Sequence, residues 1–131
     1  MTFRYFAQAI LALAMVALTT AGATAAERKI FDGKDFAAAQ AQGKSILIDI
    51  SATWCPTCQA QKPIIQKLSA EPQYKDLTIF DVDFDTRKDV LRKFGAQVQS
   101  TLIVFKGGNE TGRSVGATSE SAIAGLMRKA L

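Results

Sequence analysis

Residues 46–58 read ILIDISATWCPTC, and the rest of the chain is best understood outward from them. The apolar run Ile46–Ile50 is broken only by Asp49, and the stretch ends on Cys55 and Cys58, the two cysteines of a 131-residue chain. A continuous apolar run of this kind reads as a buried strand over Ser45–Ile50, and polar Ser51–Thr53 as the loop that leaves it. From Cys55 to Ala70 the pattern turns helical: Ala60, Ile64, Ile65 and Leu68 recur at helical spacing, and Glu71-Pro72 ends the run. Pro63 falls inside this helix and is expected to kink it. Cys55 therefore stands where a buried strand becomes a helix.

That position has chemical consequences. The unpaired N–H groups and dipole of a helix start favour negative charge, so a cysteine there becomes a thiolate more readily. Pro56 suits the first helical turn, where its missing N–H costs nothing. Cys58 lies close enough to resolve a mixed disulfide formed when Cys55 attacks a substrate disulfide. A structural staple is disfavoured, because closing so short a loop removes little entropy from the unfolded chain. A pair of thiolates could also hold Cu(I). A closed zinc site is harder to build, since the chain has no histidine and no third cysteine.

Asp49 is the other unusual residue. Burial penalises its charged form and should raise its pKa. One reading is a proton acceptor for Cys58. The other is an ion pair with a lysine such as Lys62 or Lys67, or a strand end.

The first residues stand apart. Arg4 precedes an apolar run, Ile10–Leu18, and AGATAAE follows with small residues at Ala23 and Ala25. A basic start, a short apolar centre and an A-x-A site describe a signal peptide over residues 1–25, cleaved after Ala25 or Ala26. The apolar centre is shorter than the roughly 20 residues a membrane span needs. Loss of Arg4 lowers the net charge from +4 to +3, with no Lys/Arg cluster, so nucleic acid is not an expected partner. Residues 26–131, about 105 residues, suffice for one domain.

The remaining pattern alternates. Lys29–Phe31 reads as a short edge segment, Asp32–Gln42 as an Ala-rich helix stopped by Gly43, and Leu77–Phe84 as a strand. Arg87–Phe94 reads as a short helix. Thr101–Lys106 and Glu110–Val115 form a hairpin around Gly107–Asn109. Ser119–Leu131 closes the chain as an amphipathic helix with Ile123, Leu126 and Met127 inward. Strands alternating with helices, ending in a hairpin, predict an α/β fold with a mixed central sheet flanked by helices on both faces.

Taken together, ILIDISATWCPTC, Pro63 five residues after Cys58, and TLIVFKGGNETGRSVGATS with Gly108 and Gly116 resemble the thioredoxin superfamily over essentially the whole mature chain. The resemblance implies a thioredoxin fold, with Cys55 as nucleophile, Cys58 as resolving thiol, Asp49 as buried acid and Trp54 as a ring beside the site. It implies no organic cofactor, since the Cys55–Cys58 pair itself carries two electrons. Pro56 and Thr57 stand where general cytoplasmic thioredoxins carry Gly-Pro. Strong oxidants of the superfamily usually carry a histidine there, and this chain has none, which favours a reductant or an intermediate couple.

Two further departures stand out. The superfamily usually has a cis-proline before Thr101, where it faces the cysteines, blocks metal and shapes the groove for substrate backbone. Here the residue is Ser100, whose peptide bond the sequence leaves open as cis or trans and whose hydroxyl could bond a cysteine sulfur. Asp81 stands where a lysine often pairs with the buried acid, and a second acid there raises the pKa of Asp49. Asp81, Asp83 and Asp85 otherwise read as a solvated strand end.

These readings converge on an exported thiol-disulfide oxidoreductase, periplasmic or otherwise exported, that reduces or exchanges protein disulfides. The alternatives are an oxidase or isomerase using the same cysteines, or a Cu(I) carrier. Expected partners are disulfide-containing proteins and a membrane thiol electron transporter, and the domain is expected to be a monomer.

Overall fold

The computed structural model describes residue 22 and residues 25–131. The expected signal peptide therefore lies outside the described residues, apart from Gly22 and Ala25. The elements run β1 (Glu27–Ile30), α1 (Gly33–Ala41), β2 (Ser45–Ser51), α2 (Pro56–Ser69), β3 (Leu77–Asp83), α3 (Lys88–Phe94), β4 (Thr101–Lys106), β5 (Asn109–Val115) and α4 (Glu120–Arg128). The sheet order is β1-β3-β2-β4-β5, with β1, β3 and β2 parallel and β4 and β5 antiparallel to their neighbours. This is the mixed sheet expected from the sequence.

Local signals set the boundaries. The Asp32 carboxylate accepts from the Lys34 and Asp35 N–H groups and so caps α1. Gly95 ends α3 in the left-handed conformation, φ 61°. Helix α2 runs from Pro56 to Ser69 and is not ended by Pro63. A single 3₁₀ turn, Pro72–Tyr74, follows it and was not expected from the pattern. It buries the Tyr74 ring fully.

Alternation along the strands divides the core into two layers. Ile46, Ile48 and Ile50 face α1 and α3, where Phe31, Phe36, Phe80, Phe94 and Phe105 cluster. Leu47 faces the opposite layer with Ile65 and Leu68 of α2 and Ile123, Leu126 and Met127 of α4. Asp49, two residues beyond Leu47, shares that second face.

One helical row differs from the sequence reading. Ala60 is exposed, and the inward residues of α2 are Cys58, Gln61, Ile65 and Leu68. An amide thus sits where the pattern would place an apolar side chain.

Phe36 is the hub of the aromatic layer. Its ring centroid lies 5.5 Å from that of Phe31, 5.9 Å from Phe80, 5.3 Å from Phe94 and 5.4 Å from Phe105. Phe36→Ala is expected to cost about 3–5 kcal/mol in urea unfolding. A loss below about 1 kcal/mol would show that the surrounding rings close the cavity.

Candidate active site

The turn from β2 into α2 makes Cys55 the N-cap of the active-site helix. Its backbone is extended, φ −84° and ψ 111°, and its sulfur accepts the Cys58 N–H at 3.1 Å. The Cys55 N–H donates to Ala52 O at 3.2 Å and its carbonyl accepts from Gln59 N–H at 3.1 Å. Pro56 occupies the first helical turn. The local chain thus aims the Cys58 N–H and the start of the helix at one sulfur, the arrangement that stabilises a thiolate. Cys55 and Cys58 are joined as a disulfide, with Cα atoms 5.3 Å apart, and each residue is 1% exposed.

Asp49 is also 1% exposed, but neither Lys62 nor Lys67 is its partner. Lys67 pairs with Glu120 at 2.9 Å instead. The cation comes from β1: an Arg28 Nη2 donates to Asp49 Oδ2 at 2.6 Å. The same guanidinium holds Asp81, with Arg28 Nε donating to Asp81 Oδ2 at 3.0 Å. The register explains this arrangement, since Asp49 lies directly opposite Asp81 and Arg28 opposite Ile79, on the far side of β3.

Burial pushes the Asp49 carboxyl above its ordinary range. The charge and hydrogen bond of Arg28 oppose that rise, while the Asp81 charge adds to it. A cavity of about 730 Å³, bordered by Arg28, Ser51, Thr53, Lys62 and Asp81, lies beside this ion group. The cysteines are not among its walls.

The three acids expected at a solvated strand end have separate structural contacts. Asp81 binds Arg28. Asp83 Oδ1 accepts from the Asp85 and Thr86 N–H groups and so builds the turn after β3. Asp85 Oδ2 accepts the Trp54 indole N–H at 2.8 Å, which holds the 56%-exposed ring beside the cysteine loop. Pro56 is exposed and Thr57 half-buried.

Ser100 is buried and has φ 59°, and the described residues contain no cis peptide bond. The position taken by a cis-proline elsewhere is thus a trans peptide in the left-handed region. Its hydroxyl donates to Gln99 O, not to a cysteine sulfur as the sequence had suggested. Thr101 is buried, donates its hydroxyl to Val98 O at 2.7 Å, and pairs with Ile50 near the end of β2. Among the described residues no group of three or more His, Cys, Asp or Glu side chains is gathered to hold a metal ion.

A redox-active cysteine pair capping a helix at the end of a central strand, on this sheet order, defines a thiol-disulfide exchange protein. The sequence profile described as Thioredoxin matches residues 27–129, and the chain belongs to the thioredoxin family. It is a disulfide oxidoreductase. Thioredoxin Asp f 29 of Aspergillus fumigatus is 33% identical over 90 residues, covering 68% of this chain and 82% of that protein. Thioredoxin-1 of Saccharomyces cerevisiae is 37% identical over 83 residues, covering 63% of this chain and 79% of its own. Among solved structures, Trxlp from Edwardsiella tarda EIB202 is 40% identical with a TM-score of 0.75, covering 77% of this chain and 98% of that one.

The raised Asp49 pKa fixes a sign for stability. Between the ordinary value, 3.8, and its higher folded value, the native state holds more protons than the unfolded chain. Asp49 therefore makes the fold lose stability as pH rises through that window, and no further above it. In urea unfolding from about pH 4 to about pH 9, the stability of Asp49→Asn minus that of the wild type is expected to grow across the window and then level off. Arg28→Met removes the cation that lowers the Asp49 pKa and should extend the window to higher pH. A difference independent of pH would mean that Asp49 titrates normally.

Proposed function

We propose that the chain is an exported thiol-disulfide oxidoreductase working in the reducing direction on protein disulfides. The observation that carries this reading is the Cys55 sulfur, held at the start of α2 with the Cys58 N–H donating to it and Cys58 as its bonding partner. In the reduced protein the Cys55 thiolate attacks one sulfur of a substrate disulfide and expels the other as a thiolate. Cys58 then gives its proton to Asp49, directly or through one water, and attacks the Cys55 sulfur. The second substrate thiolate leaves, two electrons have passed to the substrate, and Cys55–Cys58 is left oxidised.

The absence of histidine between the cysteines supports the reducing direction, by the family resemblance set out above. Such a protein must be re-reduced, and a membrane thiol transporter is the expected electron source. Residues 1–25 support export through their basic start, short apolar centre and A-x-A site. Protein recovered from the periplasm is expected to begin at Ala26 or Glu27 on N-terminal sequencing. Retention in the cytoplasm with residues 1–25 attached would overturn the export reading.

The direction is tested by equilibrating residues 26–131 with defined thiol buffers. A reduction potential near the roughly −270 mV of thioredoxin supports a reductant, and one near about −120 mV would make the protein an oxidant. Cys58→Ser is expected to trap substrates as lasting mixed disulfides on Cys55. A variant that traps nothing, in a protein whose reduced wild type binds Cu(I) through both thiols, would favour the carrier reading instead.

A further inference from the structure

Gln61 lies one turn after Cys58 on the inward face of α2 and is 1% exposed. Its Nε2 donates to Ala117 O at 2.9 Å and to Ser100 O at 3.3 Å, and its Oε1 has no partner among the described residues. The partners fix the amide orientation, because the reverse would set Oε1 against two carbonyl oxygens. A buried amide that satisfies only its donor side is costly, so an apolar residue of the same size would pack this position with less penalty.

Ser100 is costly in a different way. It is the one residue other than glycine with positive φ among the described residues, a conformation that a Cβ disfavours. Its carbonyl is fixed from two sides, by Gln61 Nε2 and by the Gly116 N–H at 3.0 Å. Among the described residues neither a backbone carbonyl nor a side chain accepts the Ser100 N–H. Ser100 leads into Thr101, which pairs with Ile50 one residue before β2 ends, so the strained residue stands at the cysteine end of the sheet.

We propose that Gln61 is a positioning residue for substrate. Its amide clamps the loop before β4 and the loop after β5 onto the active-site helix, and it holds Ser100 left-handed so that backbone at residues 99–101 is preset to pair with an extended substrate chain beside Cys55. In a chain that lacks proline at this position, the amide supplies the rigidity the ring would have given. The proposal rests on the reductive reading above and on the docking of substrate backbone at this loop that the family resemblance implies; a small disulfide without a peptide backbone reaches Cys55 without using the clamp.

The test compares two oxidised probes with the pre-reduced protein in stopped flow. One is a pair of peptides joined by a disulfide, and the other is hydroxyethyl disulfide, which has no peptide backbone. Gln61→Met fills the site but cannot donate. It is expected to raise the half-saturating concentration for the peptide probe about tenfold, the size of effect a lost buried hydrogen-bond clamp gives, and to leave the hydroxyethyl disulfide rate unchanged. Ser100→Gly tolerates positive φ without the clamp, so in that background Gln61→Met should lose much less.

Equal losses on both probes, no loss on the peptide, or the same loss in both backgrounds would each overturn the clamp. Wild type inert toward both probes would overturn the reductive reading itself, and the clamp's role with it. If Gln61→Met does not fold, the wild-type Gln61 side-chain amide decides by NMR. Its protons should exchange far more slowly than those of a solvated glutamine, with proximity signals to Ser100 and Ala117, and fast exchange would sink the proposal.

Discussion

Two carboxylates stand side by side across the β2–β3 pair, one of them at the apolar centre of the domain, and the sheet tolerates them because a single guanidinium spans both. Parallel register fixes Asp49 opposite Asp81. Without a cation, the buried member would have to stay protonated at all ordinary pH or the pairing would be disfavoured. Arg28 reaches across from β1, so the edge strand contributes more than backbone pairing. Its planar fork binds two acids from one position, which a lysine ammonium does less well. The arrangement leaves Asp49 between two tendencies, burial favouring its neutral form and Arg28 its charged form.

Around the cysteines a few polar contacts fix the rim, and one of them, Trp54–Asp85, joins residues 31 apart in the chain. The helix cap, the Asp83 turn and the Trp54–Asp85 bond each hold one segment of the rim. Gln61 reaches further, linking α2 to loops 39 and 56 residues along the chain. The site is therefore built on a rigid floor of strand and helix, with its rim tied to that floor by a few side chains.

Much of this was legible from residue pattern. The apolar run with Asp49 inside it, the switch from strand to helix at Cys55, and the alternation of the remaining segments follow from periodicity, and they located the sheet and its helices. Arg28 was not legible, because its link to Asp49 depends on the register of a four-residue edge strand, and lysines on the adjacent helix were the nearer candidates. Gln61 does carry a signal: Cys58, Gln61, Ile65 and Leu68 lie on one helical stripe, so a polar residue there is buried and must find a donor or acceptor partner. The left-handed backbone of Ser100 had no signal, since serine is not a residue that announces positive φ. Its conformation is imposed by the tertiary contacts of its carbonyl.

The sulfur that caps α2 is also the sulfur that reacts, and this joins two quantities usually measured apart. A thiolate, a thiol and a disulfide sulfur accept the Cys58 N–H with different strength, the anion most strongly. Each redox form of the protein therefore has its own helix cap and its own stability. In a thermodynamic cycle linking folded and unfolded, oxidised and reduced chain, the stability difference between the two forms must equal the shift in cysteine potential that folding produces. Any residue that strengthens the first turn of α2 for the reduced form alone thus makes the protein a stronger oxidant, even if it never touches a substrate.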